Sequence, residues 1–229
     1  MEDGNAMIDI LYEDNHLLGV VKPCNMPVQQ DESQDEDLLT VCKAYIKEKY
    51  QKPGNVYLGL VHRLDRPVGG CMVFAKTSKA ASRLSNLIRE QKMEKTYYAI
   101  IDGILKEKQG TFIDYLKKDT SKNRVTVTNK EDGKKSILDY TVIQEKNGMS
   151  LVKIALQTGR SHQIRVQFSS RNVPIVNDQR YHPNPKKGQI ALYCVDLKFK
   201  HPVKEEEVQL ETTLPNTWPW IEFEVKSNE

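Results

Sequence analysis

The sequence of 229 residues lacks the features that would place it in a membrane or outside the cell. Its apolar runs are all far shorter than the roughly 20 residues that a bilayer-spanning helix needs. The opening residues, Met1-Glu2-Asp3-Gly4, provide neither the basic region nor the apolar core of a signal peptide. We therefore expect a cytoplasmic protein without a membrane partner, and a monomer by default.

Cysteine is scarce and scattered. No two cysteines form a C-x-x-C pair, and none has a histidine nearby at the spacing of metal ligands. The sequence therefore offers no motif for a zinc site or a thioredoxin-like redox site. We expect free thiols, no metal and no cofactor. The four cysteines are Cys24, Cys42, Cys71 and Cys194.

The sequence also has no large excess of positive or negative residues. Lys and Arg number 34 against 31 Asp and Glu, and this net charge of +3 does not by itself indicate a nucleic-acid partner. The distribution is less even. Residues 31–37 are strongly acidic, whereas basic residues outnumber acidic ones between Leu116 and Lys135. The basic stretch could contact phosphates, but a solvated loop and hairpin is the more common meaning of such a run and is the structure expected here.

Short apolar and alternating segments, separated by turn residues, dominate the chain from Tyr97 onward. This pattern is typical of an antiparallel meander. The predicted strands are an opening hairpin at Ile8–Tyr12 and Leu17–Val21, then Cys71–Ala75, Tyr97–Ile104, Arg124–Thr128, Ile137–Gln144, Leu151–Leu156, Ile190–Phe199 and Trp220–Val225. With few helices between them, the prediction is an α+β fold. We expect one domain over residues 1–229, with a core at about 8–225 and short frayed termini.

Two helices are indicated before that meander. Asp37 is a plausible N-cap for a helix that begins at Leu38, and Pro53-Gly54 would end it. After Ser78, apolar residues from Ala80 to Ile88 recur at the i, i+4, i+7, i+8 spacing of an amphipathic helix. That stripe predicts core packing.

The segment from Gly59 to Gly70 contains the first group of residues suited to chemistry. It holds Asp65 between His62, Arg63 and Arg66, on a Pro- and Gly-containing loop that leads into an apolar strand. Neighbouring guanidinium groups favour the ionised form of a carboxylate. The residues alone fit a catalytic acid and fit a structural loop.

Two later segments are less specific on their own. In Leu156–Val166, Ser161 is a candidate N-cap for a helix that starts near His162, and such a helix start suits a phosphate. A solvated basic helix end is the alternative. A hydrolase using Ser161 and His162 is disfavoured, because adjacent helical residues point in different directions and no G-x-S-x-G elbow is present. The segment Glu94–Ile100 begins a strand with two tyrosines, a pattern that ordinary packing also gives.

Together the three segments resemble, in order and spacing, the motifs of the RluA-type pseudouridine synthases. The motifs of that family read H-R-L-D, two variable residues and T-S-G; then K-x-Y-x-A; then L-x-T-G-R-T-H-Q-I-R-V-H. The family's opening hairpin has a counterpart in Ile10–Asp14 with Val21–Pro23, and its closing strand motif has one in Leu197–Pro202. The resemblance thus covers nearly the whole chain, and we expect no S4 RNA-binding domain before Ile8.

The resemblance implies a pseudouridine-synthase domain with a mixed, mostly antiparallel sheet, flanking helices and a central RNA-binding cleft. It implies an isomerase that converts specific uridines to pseudouridine in structured RNA, either rRNA or tRNA, without a cofactor or metal. The catalytic aspartate of the family falls on Asp65, its base-stacking tyrosine on Tyr97, and the basic partner of the aspartate on Arg165. Tyr98, next along the strand, is expected to face the core. The implied substrate-binding residues are the base-displacing Arg63, with His62, Arg160, His162, Gln163 and Ile164.

The sequence departs from the family pattern at three places. Val68-Gly69 replaces the usual Thr-Ser, Gln167 stands where His is usual, and Asn177 stands where Gly is preferred. None of these changes removes a residue assigned to chemistry, and together they suggest a subgroup with a different loop geometry or substrate. The alternative function is a catalytically silent RNA-binding or folding factor on the same fold.

Overall fold

The structure, a computed structural model, describes residues 8–224 and has the mixture of strands and short helices of an α+β protein, as predicted. The chain divides into two compact units, one formed by Met1–Met93 with Val195–Thr212 and the other by Glu94–Cys194 with Thr213–Glu229. None of the described helices is long and apolar enough to cross a membrane. In chain order the elements are β1 (Ile10–Glu13), β2 (Leu17–Lys22), α1 (Leu38–Lys49), β3 (Gly59–Leu60), β4 (Gly69–Ala75), α2 (Ser78–Arg89), β5 (Glu94–Asp102), β6 (Gln109–Asp119), β7 (Arg124–Thr128), β8 (Lys134–Lys146), β9 (Met149–Leu156), α3 (Gln163–Ser169), β10 (Leu192–Lys200), β11 (Glu207–Glu211) and a 3-10 helix (Trp220–Glu222).

Antiparallel pairing of β1, β2 and β4 forms the frame of the first unit. β2 pairs with β4 along its whole length, from Leu17 opposite Ala75 to Lys22 opposite Gly70. Every residue of β4 is buried, which agrees with its unbroken apolar run. The end of β2 therefore lies beside the start of β4, where the loop that carries Asp65 enters the sheet.

Both predicted helices of this unit are confirmed. α1 begins after Asp37, whose carboxylate accepts a hydrogen bond from the Thr40 backbone N–H at 3.0 Å. α2 begins at Ser78, and the preceding Thr77 caps it by accepting from the Ala80 N–H at 3.2 Å. A capping side chain satisfies a backbone donor that the helix itself leaves without a partner. The local sequence was sufficient to find these helices because their caps and apolar stripes lie within a few residues.

The second unit is built on antiparallel strands in the order β5, β9, β8, β6, β7. β8 and β9 form a hairpin that turns through Asn147 and Gly148 at φ angles of 53° and 77°, as two-residue hairpin turns require. The core of the second unit includes three aromatic rings. The ring centroids of Phe112 and Tyr140 are 4.6 Å apart, and those of Phe112 and Phe168 are 5.1 Å apart. Phe168 belongs to α3, so this packing fixes the helix onto the strands.

The basic stretch between Leu116 and Lys135 is the hairpin of β6 and β7 with the start of β8. β7 pairs with β6 from Tyr115 opposite Thr128 to Asp119 opposite Arg124. The hairpin expected there is therefore confirmed, and its lysines are exposed to solvent.

Some elements differ from the prediction. The predicted strand Trp220–Val225 is wrong: residues 220–222 form a 3-10 turn that buries Trp220 and Phe223, three residues apart, while Val225 and the expected frayed termini lie outside the described residues. The sequence patterns also did not predict β6 or β11. β6 interrupts its alternation with exposed charged residues, and β11 buries Val208 and Leu210 between exposed polar neighbours over a short span.

Candidate active site

Asp65 lies in the first unit, on the loop between β3 and β4. The Val68 backbone N–H donates to the Asp65 carbonyl oxygen at 2.9 Å, which closes a turn just behind the aspartate. Leu64 and Val68 are buried and anchor the loop on either side, while Asp65 itself is only partly buried. Gly70 follows at φ 120°, a conformation that side chains rarely adopt. The loop thus holds a partly buried aspartate on a backbone whose neighbouring side chains are packed into the core.

The departure from Thr-Ser at Val68-Gly69 has a physical explanation in this turn. Val68 is 2% exposed, so an apolar side chain fills the space below the loop. Burial of a valine stabilises by roughly 1.5–3 kcal/mol relative to exposure. Apolar packing of Val68 therefore stabilises the loop at this position without a hydroxyl group.

Lys22 is a residue of this loop environment that the sequence patterns did not single out. Its side chain is fully buried, and Nζ donates to the carbonyl oxygens of Pro23, Met26 and Arg66 at 2.9, 2.6 and 2.9 Å. Burial lowers the pKa of Lys22 to about 8, and the negative charge of Asp65 acts in the opposite direction. The lysine therefore ties the end of β2 to the residue that follows Asp65.

His62 and Arg63 project differently from the same loop. The Nε2 atom of His62 accepts a hydrogen bond from the Val73 backbone N–H at 3.0 Å, so this nitrogen carries no proton. The bond links the loop to β4 beyond the end of its pairing with β3. Arg63 is exposed. This geometry gives His62 a structural contact in the first unit and leaves the guanidinium of Arg63 at the surface.

Arg66 turns toward the acidic residues 31–37. Its Nη1 donates to Ser33 Oγ at 2.8 Å and to Asp31 Oδ2 at 3.3 Å, and its Nη2 contacts a carboxylate oxygen of Asp35. The hydrogen bond from Arg66 is the main cause that lowers the pKa of Asp35 below 3.8. The loop that carries Asp65 is thus joined on its solvent side to an acidic segment.

In the second unit, Arg165 lies on α3 and is 5% exposed. Its Nε and Nη2 donate to the two carboxylate oxygens of Asp178, both at 2.8 Å, in a bidentate ion pair. Burial alone would raise the pKa of Asp178, but the hydrogen bonds and charge of Arg165 outweigh it and hold that pKa below 3.8. The guanidinium of Arg165 is therefore charged and held in one orientation.

Tyr181 connects Arg165 with His162. The Arg165 guanidinium lies 5.1 Å from the centre of the Tyr181 ring, and that of Arg124 lies 5.0 Å from it. The Tyr181 hydroxyl accepts from the Val125 N–H at 2.9 Å and is 2.6 Å from Nδ1 of His162. The tautomer of His162 decides which of these two groups donates in the contact between them.

The start of α3 differs from the predicted one. Ser161 does not cap the helix; His162 precedes it in a left-handed conformation at φ 52°, without a side-chain cap. Gln163 closes the turn instead, because its Oε1 accepts from the Arg160 N–H at 3.0 Å and from Thr158 Oγ1 at 2.9 Å. The Gln163 amide oxygen therefore accepts from two donors of the turn. The prediction of a Ser161 cap failed because the side chain that binds this turn belongs to the first residue of the helix and not to the residue before it.

The other residues expected to bind substrate lie in varied surroundings. Ile164 is 4% exposed and belongs to the core. Arg160 is exposed, and its Nε donates to the Lys135 carbonyl at 3.2 Å. Tyr97 lies on β5 opposite Ile154 and is 8% exposed, whereas Tyr98 is only partly buried. Tyr98 was expected to face the core, and the structure buries it only in part.

The two remaining departures are explained by the backbone and by packing. Asn177 has a φ of 62°, the left-handed region in which Gly is most favourable and Asn is the next choice. Its Nδ2 donates to the Gln189 carbonyl at 3.1 Å. Gln167 is fully buried, and its Nε2 donates to Asp114 at 2.7 Å. Each side chain thus makes a polar contact through its amide nitrogen, whereas its amide oxygen is buried without a hydrogen-bond partner among the residues that the structure describes.

Comparison with known proteins gives the family. A family profile described as RNA pseudouridylate synthase matches residues 16–170. An uncharacterized RNA pseudouridine synthase of Aquifex aeolicus is 32% identical over 240 residues, covering 95% of this chain and 74% of the relative. YhcT of Bacillus subtilis, also an uncharacterized RNA pseudouridine synthase, is 32% identical, covering 91% of this chain and 69% of the relative. Ribosomal large subunit pseudouridine synthase C of Buchnera aphidicola is 30% identical, covering 90% and 66%.

Solved structures support the same fold. The human RNA pseudouridylate synthase domain containing 4 superposes with a TM-score of 0.75 at 21% identity, covering 91% of this chain and 89% of that one. The structure of human RNA pseudouridylate synthase domain containing 1 superposes with the same TM-score at 22% identity, covering 94% of this chain and 87% of that one. The chain belongs to the RluA-type RNA pseudouridine synthases and is an isomerase that acts on uridine in RNA.

Proposed function

We propose that this enzyme isomerises one or a few specific uridines in structured RNA, with Asp65 as the catalytic carboxylate and Tyr97 and Arg165 as its catalytic partners. Ribosomal RNA or tRNA is the proposed substrate class, and relatives named ribosomal large subunit pseudouridine synthase C and D support the first of these. The observation that carries the assignment of Asp65 is a partly exposed carboxylate on a loop whose backbone is held by buried Lys22.

The reaction explains why a carboxylate is needed. The bond between N1 of uracil and C1′ of ribose breaks, a bond between C5 and C1′ forms, C5 loses its proton and N1 gains one. No electron leaves or enters, so the balance requires neither a redox cofactor nor a second substrate. A carboxylate beside the sugar and base can attack C1′, add to C6 or begin elimination through C2′. Asp65 takes one of these three roles in the proposal.

Arg165 is proposed as the basic partner of the aspartate. A buried carboxylate without a compensating charge would have a raised pKa, and an arginine that is always charged prevents this. The bidentate bond to Asp178 and the Tyr181 ring support the proposal, because they orient the guanidinium before substrate arrives. Lysine cannot reproduce that planar double contact.

A uridine must leave its stack before any residue can reach its sugar and base, which costs a few kcal/mol. Arg63 is proposed to occupy the vacated space, and its exposure on the Asp65 loop supports this role. Tyr97 is proposed to hold the base by stacking, a contact worth roughly 1–3 kcal/mol. The remaining proposed substrate contacts are His62, Arg160, His162, Gln163 and Ile164.

RNA outside the target nucleotide is proposed to contact exposed basic side chains of the β6–β7 hairpin. Such contacts would make binding depend strongly on salt, because each neutralised phosphate releases counterions. The residues in question are Lys117, Lys118 and Lys122 of the hairpin, together with Lys130 in the turn that follows β7. We further propose one catalytic domain over residues 1–229, acting as a cytoplasmic monomer.

Asp65→Asn tests the assignment with little change in shape. Wild type and variant are incubated with total RNA from a strain that lacks the protein, and pseudouridine is mapped by sequencing. We expect sites that wild type restores and the variant does not. Equal modification by both proteins would refute the role of Asp65. Absence of restored sites with wild type would instead favour the RNA-binding factor, an alternative that the comparisons do not favour.

A further inference from the structure

Arg66, the residue after Asp65, is held by an acidic segment formed by residues 31–37. Three oxygen-bearing side chains surround its guanidinium, namely Asp31, Ser33 and Asp35. The arginine side chain is 40% exposed, and the two carboxylates are 43% and 54% exposed. These contacts are therefore at the surface, on the solvent side of the loop that carries the catalytic aspartate.

The oxygen atoms that contact the Arg66 guanidinium resemble those of a bound phosphate. A guanidinium group donates in a planar fork, and carboxylate and phosphate oxygens both match that geometry. The carboxylates of Asp31 and Asp35, with the hydroxyl of Ser33, occupy the donors that a phosphate would take. The target nucleotide carries a phosphate on each side of its ribose, so phosphates must come close to the loop on which Asp65 and Arg66 are neighbours.

The segment carries more negative charge than Arg66 can neutralise. Glu32 and Glu36 belong to it as well, and among the described residues neither forms an ion pair with a basic side chain. An RNA that approached Asp65 would therefore meet an acidic surface that already occupies Arg66, the exposed arginine that follows Asp65 in the chain. This arrangement weakens RNA binding unless the RNA itself replaces the carboxylates.

We propose that Arg66 binds a backbone phosphate beside the target uridine, and that Asp31 and Asp35 occupy this phosphate site in the free protein until RNA displaces them. The inference rests on the proposed function in one respect, namely that the anionic ligand is the RNA substrate. The acidic segment acts as a competitor, so binding includes the loss of two ion pairs. Exposed ion pairs of this kind correspond to roughly 2- to 30-fold in affinity when two are counted together.

Two matched variants separate displacement from general repulsion. D31N/D35N and E32Q/E36Q each remove two negative charges from the same segment, but only the first changes contacts to Arg66. Asparagine at position 31 keeps an oxygen for the hydrogen bonds from Ser33. Binding of a fluorescein-labelled RNA hairpin with a uridine-rich loop is measured by anisotropy across a salt series, and thermal unfolding verifies that each variant is folded.

We expect D31N/D35N to bind the hairpin about 3- to 10-fold more tightly than wild type, and at least threefold more tightly than E32Q/E36Q. Adding R66Q should remove that gain and reduce the salt slope by roughly 0.7–0.9, the value for one phosphate contact. Equal effects of the two charge variants, or a gain that survives R66Q, would overturn the proposal.

The binding assay does not depend on turnover. If wild type restored no pseudouridine in cellular RNA, the proposed function would fail, while the comparison of D31N/D35N with E32Q/E36Q would still test the phosphate site. Conversely, active enzyme with identical affinities for both variants would refute the phosphate site and leave the reaction untouched.

Discussion

Replacing the buried Lys22 by methionine tests how the Asp65 loop is held. Methionine has a similar length and can fill the same space, but it donates no hydrogen bond. The carbonyl oxygens of Pro23, Met26 and Arg66 would then lose their donor, at hydrogen bonds that are partly buried. A buried acceptor that loses its partner costs about 1–3 kcal/mol, so for three acceptors the upper range of the gross loss is roughly 3–9 kcal/mol.

Removal of the ammonium group also removes the free-energy cost of burying its charge. Burial holds the pKa of Lys22 at about 8 instead of 10.5, a difference that corresponds to about 3 kcal/mol at neutral pH. Subtracting this from the middle of the gross range leaves a net destabilisation of about 3 kcal/mol. The variant Lys47→Met, on the exposed side of α1, is the control and should change the free energy of unfolding by about 0.5 kcal/mol or less.

The lowered pKa of Lys22 predicts the direction in which the stability difference between wild type and Lys22→Met changes with pH. Between about pH 8 and 10.5, Lys22 is more protonated in the unfolded chain than in the folded one, so its contribution to stability rises with pH. The difference in unfolding free energy between wild type and Lys22→Met should therefore increase by about 1 kcal/mol from pH 7 to pH 9. Groups common to both proteins cancel in this difference.

Urea denaturation at both pH values measures these quantities, and pseudouridine formation in the absence of urea measures the consequence for catalysis. We expect kcat to fall about tenfold or more, because the tie to the residue after Asp65 is lost, with affinity for RNA changed less than threefold. A difference of less than about 1 kcal/mol at pH 7, or one that narrows toward pH 9, would refute the account of Lys22.

Three further substitutions have defined outcomes. Gly70→Ala places a side chain at φ 120° and should lower the urea-derived unfolding free energy by about 1–3 kcal/mol; an unchanged midpoint would contradict the strain. Asp178→Asn leaves Arg165 without its buried counter-charge and should cost about 3–5 kcal/mol at pH 7. Because the pKa of Asp178 is lowered in the folded state, this difference should shrink as the pH falls below about 4, and a constant difference would argue against it. Arg165→Lys should remain folded and lose about 100-fold in kcat, and near-normal turnover would contradict the need for a planar guanidinium.

The sequence was most informative where the cause of a structure lies within a few residues. The cap at Asp37, the apolar stripe from Ala80 to Ile88 and the turn at Asn147-Gly148 all act locally, and each appears in the structure. The pattern of strands and helices predicted the α+β class, and the family motifs predicted the type of domain because their order along the chain is a long and specific pattern.

Contacts between distant parts of the sequence were not predictable in this way. Lysine is usually exposed, so a sequence pattern does not predict that Lys22 is buried. Its three acceptors are backbone carbonyl oxygens, which every residue has, so no residue type in the sequence indicates them. The contact of Arg66 with Asp31 and Asp35 joins residues about thirty positions apart. The acidic segment was visible in the sequence as a run of charge, but its partner could be found only in three dimensions.

The loop behind Asp65 illustrates how side chains can change while the presentation of a carboxylate is kept. Its geometry depends on the Val68 N–H bonded to the Asp65 carbonyl, on the Arg66 carbonyl bonded to Lys22, and on the backbone at Gly70. The first two of these contacts use backbone atoms of the loop, so they do not require hydroxyl side chains at Val68-Gly69. Since Val68 is buried, its apolar side chain adds packing to a turn that is already closed. Loss of the Thr-Ser pair therefore alters what lines the loop without removing what holds Asp65, and the contacts of Arg66 with Asp31, Ser33 and Asp35 hold the loop on its solvent side.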